Sequence, residues 1–344
     1  MRPRYYTLQL LRLVAAAAVV IFHSTIFGWR PDPLPSYWAG LNAGNIAVIV
    51  FFVISGFVMA LQRRRPILRF ALHRVLRIYP AFIVAFALGA ILLLAAGVTR
   101  LDSVRFDLSI LLLPFGSGSS WSGVPYWTLD YEVFFYAASC VLMLRGGRYY
   151  PYLLLLWAVW LLHSFPSFPY PPDTKYGSFV WTSPYGLYFI GGATIGLHTD
   201  GVRWPLPMFL AMVGGWAILW QMHSFLWLLL LMITAMGLVM ASISVPDTQI
   251  ARRLSPLGDW SYGLYLMHLP IIGALYQVLP QGSHELRSVV MVAVSGTLAL
   301  AYGAVEFGLY SRYLKPLADR GVTRRAPPDQ RLGPAAISTS DLAP

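Results

Sequence analysis

Acidic residues are scarce in this chain: 14 Asp and Glu stand against 25 Lys and Arg in 344 residues, and all charged types together reach only 11%. Surfaces facing water are usually about a quarter charged or more, so a large soluble domain is excluded. Cysteine is scarcer. Cys140 stands alone, which rules out a disulfide framework and a thiolate metal centre. No HExxH, GxSxG or P-loop pattern occurs, and the few His and acidic residues nowhere show metal-ligand spacing, so no metal is expected. An internal repeat of useful strength is missing too.

Apolar runs fill the chain instead. It is 57% hydrophobic, with a mean hydropathy of +0.61. That composition predicts an all-α integral membrane protein. The pattern gives about ten transmembrane helices, at 8–27, 43–61, 80–98, 127–144, 150–165, 184–199, 205–221, 224–243, 260–280 and 286–312. Arg2 and Arg4 before the first run imitate a secretory signal, but the run continues past His23 and further spans follow, so it reads as an uncleaved helix. An even span count leaves both termini on one side. The large majority of the Lys and Arg residues fall on that side, which makes it cytoplasmic and the protein a multi-pass resident of the cytoplasmic (inner) membrane. The formal charge of +11 is thereby explained by topology, and nucleic acid is not an expected partner. A membrane domain over 1–320 and a Pro-, Arg- and Ser-rich disordered cytoplasmic tail over 321–344 complete the organisation.

The informative polar residues lie inside apolar runs. On a helix Arg12 and His23 are about 1100° apart, about 20° off three full turns, so they share a face about 16.5 Å long, with Ala16 and Val19 between them. Ionisable groups at membrane depth are costly and by default mark a site facing a cavity. His23 and Glu132 lie at similar depth below the outer end of their spans, where a carboxylate can orient an imidazole; Glu132 and Asp130 as merely interfacial acids is the alternative. Arg12 and Glu306 share a depth near the inner face, either as a structural ion pair or with Arg12 free for a ligand. His268, near mid-membrane, either rests on a backbone carbonyl or lines the same cavity.

Arg69, His73 and Arg77 recur at i, i+4 and i+8, with Arg74 beside them, as a basic helix on the cytoplasmic surface before Pro80 opens the third span. Such arginines suit phosphate oxygens, although anionic lipid also attracts them. Gly192 and Gly196 form a small-xxx-small pair suited to helix packing. Trp121, Tyr126, Trp127 and Tyr131 cluster at the outer interface as an aromatic belt or, less simply, a sugar-stacking surface. Residues Leu108–Phe115 have the apolarity to dip back into the membrane.

Five stretches, RLVAAAAVVIFH, FFVISGF, RVLRIYP, WTLDYEVFFY and SYGLYLMHLP, occur in the order found in the membrane-bound acyltransferase-3 family, which the chain resembles over about residues 5–315. The form WTLDYEVFFY is most similar to the exopolysaccharide O-acetyltransferase branch. One departure is Glu306, followed by Phe307 and Gly308 where the family often has Glu-x-Pro. The resemblance implies transfer of an acyl group, acetyl foremost, from cytoplasmic acyl-CoA to a hydroxyl of an exopolysaccharide or other surface glycan. It implies His23 as catalytic base or acyl relay with Glu132 beside it, and Arg12, Arg69, Arg74 and Arg77 on the donor. Asp130, Tyr131, Trp127, Tyr265 and His268 fall to the acceptor side. Membrane lipids are partners by necessity, and a homo-oligomer stays open. A multi-span transporter or glycan flippase, and acylation of a lipid-linked or small-molecule acceptor, are the rival readings.

Overall fold

The computed structural model describes residues 5–29, 43–99, 112, 127–164, 180–219, 223–280 and 282–323. Among them the regular structure is entirely helical. The helices are α1 (Tyr6–Trp29), α2 (Ala43–Leu61), α3 (Ile67–Ala95), α4 (Trp127–Leu142), α5 (Tyr150–Ser164), α6 (Tyr185–Thr199), α7 (Pro205–Leu219), α8 (His223–Ser244), α9 (Gln249–Asp259), α10 (Ser261–Val278), α11 (His284–Leu309) and α12 (Lys315–Thr323). By length and composition, Tyr6–Phe27, Ile67–Ala95 and His284–Asp319 can each cross a membrane. Ile46–Leu61, Tyr150–Ser164, Pro205–Ile218 and Leu229–Ser244 are apolar but shorter. The all-helical membrane fold thus stands with three clear spans; the count of about ten and the side of the termini stay expectations. The stretch 108–115 (Leu112 apart), Trp121, Tyr126 and the tail beyond 323 lie outside the described residues.

The first helix is the hub. α1 packs against α2, α8, α9, α10 and α11 on one side, burying Ala15, Ala16, Val19 and Val20, while Val14 and Ile21 on its other side stay exposed. Without a hydrophobic drive between helices in lipid, close backbone approach supplies the association, and small residues permit it. Between α2 and α6 a Cβ at Gly192 would strike the Val53 carbonyl, and one at Gly56 would strike the Phe189 carbonyl. A Cβ at Gly196 would lie 2.7 Å from the Phe57 carbonyl. Gly192 and Gly196 are the packing pair that their spacing predicts. Beside them Arg63, buried, pairs with Asp200 at 2.6 Å and joins the ends of α2 and α6.

One element departs from expectation. The basic surface helix and the third span are a single rod, α3, with Pro80 inside it rather than at its start. Proline removes one backbone donor and crowds the preceding turn, a disturbance that membrane helices tolerate when neighbours serve the local carbonyls. Here Tyr262 of α10 donates to the Ile78 carbonyl at 3.2 Å, and Tyr302 of α11 donates to the Ala81 carbonyl at 2.8 Å. Arg74 and Arg77 are therefore fixed to the same rod as the span and turn toward the bundle. At the far end of the chain α11 runs through a π-helical turn, Tyr310–Leu314, into α12, which packs back on α3.

Candidate active site

A cavity of about 710 Å³ runs between α2, α3, α4 and α10. One end is basic: Arg64, Arg65, His73, Arg74 and Lys315 line it, with Asp319 hydrogen-bonded to the ring of His73 at 3.0 Å. Its body is walled by Ser55, Val58 and Met59 of α2 and by Leu129, Glu132 and Tyr136 of α4. Its other end reaches Thr128 and Tyr265, whose hydroxyls are 2.5 Å apart. From α1 only Arg12 lines the wall. Ala16 and Val19, expected to form the slot, are 1% exposed and packed shut. The face they share with Arg12 is spent on helix packing, and the open path lies one helix away.

The arginines differ in what holds them. Arg74 contacts two mutually perpendicular rings, 5.2 Å from the Phe70 centroid and 5.1 Å from that of Tyr136, and its buried Nε has no hydrogen-bond partner among the described residues. A guanidinium so oriented by cation–π contact keeps donors for an anion. Arg77 is instead committed. It forms a close ion pair with Glu306 and sits over Tyr262 at 4.9 Å and Tyr310 at 5.0 Å. Glu306 is thus paired with Arg77 rather than with Arg12, because the continuous α3 rod delivers Arg77 to it. Arg12 donates to Gln9 at 3.2 Å and shares the cavity wall with Glu132, which accepts a short hydrogen bond from Tyr136. Arg69 is off that wall; Arg64 and Arg65, from the QRRRP run of the same loop, line it instead. That run was legible in sequence. Lys315, brought in by the turn into α12, was not.

On α4, residues 128, 129, 132 and 136 line the cavity, and the opposite half of the helix carries the other acceptor-side candidates. Tyr131 is 1% exposed, wedged among Phe52, Trp127, Phe135 and Tyr185, and donates to Ser183 Oγ at 3.0 Å. Trp127 packs on Tyr185 as well. Asp130 is buried with its Oδ1 lacking a hydrogen-bond partner among the described residues. The structure brings none of these three to the cavity wall.

His23 meets another imidazole. Its Nδ1 lies 3.0 Å from the Val19 carbonyl and 3.3 Å from Nε2 of His268, with ring centroids 5.2 Å apart. His268 is fully buried on α10, and its Nδ1 lies 2.6 Å from the carbonyl of Tyr265. Tyr265 therefore both lines the end of the cavity and holds the ring beside His23. Among the described residues no three His, Cys, Asp or Glu side chains gather to hold a metal ion.

Residues 5–306 match a family profile described as an acyltransferase domain. The chain is 26% identical over 324 residues to an O-acetyl transferase of Shigella phage Sf6, covering 86% of this chain and 93% of that one. It is 30% identical over 304 residues to an exopolysaccharide production protein of Rhizobium meliloti, covering 82% and 92% respectively. To nodulation protein 10 of Rhizobium leguminosarum bv. viciae it is 28% identical over 341 residues, covering 87% and 91%. No solved structure matches it significantly.

Proposed function

The chain belongs to the membrane-bound acyltransferase-3 family, and on that premise we propose that it carries an acyl group, acetyl foremost, from acyl-CoA on the cytoplasmic side to a hydroxyl of an exopolysaccharide or other surface glycan. The observation that carries this reading is the cavity that starts among cations and ends at Thr128 and Tyr265, with the Tyr265 carbonyl in turn holding His268 beside His23, neither imidazole itself lining the wall. A nucleotide with several phosphates suits the mouth formed by Arg64, Arg65, Arg74 and Lys315, where forked guanidinium donors match phosphate oxygens. The body of the cavity, walled by Ser55, Val58 and Met59 and by Leu129, Glu132 and Tyr136, takes the slender thioester-bearing arm of coenzyme A, and the carbonyl comes to rest near Thr128 and Tyr265. The acetyl group is taken from the name of the relative in Shigella phage Sf6, and the glycan acceptor from that of the exopolysaccharide production protein of Rhizobium meliloti.

In the simplest chemistry Nε2 of His23 removes the proton of the sugar hydroxyl as its oxygen attacks the thioester carbonyl. The C–S bond breaks, the sulfur leaves as thiolate and takes that proton, and an ester and free CoA result. In the relay form Nε2 attacks first and the thiolate leaves; the hydroxyl then attacks the acyl-imidazolium, the N–C bond breaks to restore neutral His23, and the hydroxyl proton ends on the thiolate. Glu132, opposite Arg12 on the wall, balances the arginine charge along the path. Membranes carrying the protein, given labelled acetyl-CoA and an O-deacetylated polysaccharide, are expected to release CoA thiol and label the polysaccharide. His23→Ala abolishes both at unchanged expression. Wild-type rates in that variant, or transport of glycan with acetyl-CoA left intact, overturn the reading.

A further inference from the structure

We infer that His268 is a positioning residue that holds His23 in the tautomer with its proton on Nδ1, leaving the lone pair on Nε2. The inference rests on the reading of His23 as the reacting imidazole. It follows from counting hydrogens along one line of contacts. A backbone carbonyl can only accept, so the 2.6 Å contact of His268 Nδ1 with the Tyr265 carbonyl places a proton on that nitrogen. A neutral imidazole has one ring proton, and the Nε2 of His268 is then an acceptor. It lies 3.3 Å from Nδ1 of His23. Two lone pairs would repel there, so the proton belongs to His23 Nδ1, and the Val19 carbonyl, 3.0 Å from the same nitrogen, demands it as well. Two independent acceptors agree on one tautomer.

The arrangement does for His23 what a carboxylate does in other base–orienter pairs, but without burying a net charge. As His23 takes a proton on Nε2, its Nδ1–H donates more strongly to His268, which is anchored through Tyr265. His268 and Tyr265 are three residues apart on α10, so ring and carbonyl are held by the same turn of helix. The sequence placed His268 on the acceptor side of the site; the contacts give it a partner instead.

Amide variants separate this role from mere packing. In His268→Gln the side-chain oxygen reaches the place of Nε2 and still accepts from His23; in His268→Asn the amide still reaches the Tyr265 carbonyl and no further. With full-length protein and acetyl-CoA, Gln is expected to keep kcat within about threefold, and Asn to lose about thirtyfold or more at unchanged KM, the scale on which outer partners of working imidazoles act. Carbethoxylation of His23 by diethyl pyrocarbonate, followed by mass spectrometry across pH, needs no acceptor. Its pH profile should match wild type in Gln and shift in Asn. If Asn fails to fold, His268→Met, which fills the volume without an acceptor, takes its place with the same expected loss. Equal kcat and equal modification profiles in the Gln and Asn (or Met) variants overturn the positioning role while an inactive His23→Ala leaves the proposed function standing. An active His23→Ala overturns both.

Discussion

Two arginines a turn apart on α3 look alike in sequence and are expected to fail differently. Arg74 keeps a buried Nε without a hydrogen-bond partner among the described residues, and a hydrogen bond to a charged group is worth about 1.5–3 kcal/mol. Arg74→Ala is accordingly expected to raise KM for acetyl-CoA by about tenfold or more with the melting temperature little changed. Arg74→Lys should not restore it, since lysine offers neither the fork nor the delocalised cation that contacts the rings of Phe70 and Tyr136. Arg77 is committed to Glu306, which is 8% exposed. Arg77→Ala leaves that carboxylate buried and unpaired, at a cost of about 3–5 kcal/mol. Thermal unfolding in detergent should show a large loss for the single variant and recovery in Arg77→Met/Glu306→Leu, which removes both charges. Absence of that recovery would mean the pair is not what holds α3 to α11. Sequence spacing put Arg74 and Arg77 on one basic surface helix and set Glu306 against Arg12 by depth, as an ion pair or with Arg12 kept for a ligand. Depth is one coordinate of three; the angular position of a helix around the bundle is set by its neighbours.

At the scale of elements, the crossing of α2 and α6 carries the sharpest prediction. Gly192→Leu pushes a side chain into the Val53 carbonyl, which is backbone and cannot yield, so the two helices must separate. Loss of monodisperse protein in size-exclusion chromatography is expected. Gly214→Ala on α7, where an added Cβ meets nothing within 4 Å, should leave yield and melting within the error of wild type. A Gly192→Leu protein that purifies normally would refute the crossing. The Gly-xxx-Gly spacing was readable because it reflects one helix face alone. The continuity of α3 through Pro80 was not, since proline reads as a break unless partners outside the helix, here Tyr262 and Tyr302, serve its surroundings. The small residues of α1 between Arg12 and His23 read in sequence as the side of an open cavity, and the packing overturns that. Ala16 and Val19 receive neighbouring helices, and the cavity opens elsewhere.

For the molecule as a whole, the basic mouth of the cavity sets an orientation that labelling can test. Cys140 is the single cysteine, so a Cys140→Ser background lets one introduced thiol report its side. Under the expected topology Arg145→Cys, in the turn between α4 and α5, stays hidden from an impermeant maleimide added outside intact cells, whereas Gly282→Cys, exposed between α10 and α11, is labelled. The reverse pattern would place the arginine-lined mouth outside and remove access to a cytoplasmic donor.

The amino-acid sequence by itself determined that this chain is a helical membrane protein, that His23 and Arg12 lie on one helix face, and that a cationic patch precedes the third span. Those properties depend on composition, helical period and motif order, all local along the chain. Only the packed bundle decided that the open path runs past α2, α3, α4 and α10, that Glu306 belongs to Arg77, and that His268 is the ring beside His23. Each of these is a contact between residues far apart in sequence, and such contacts depend on how each helix is rotated against its neighbours, which no single helix's periodicity encodes.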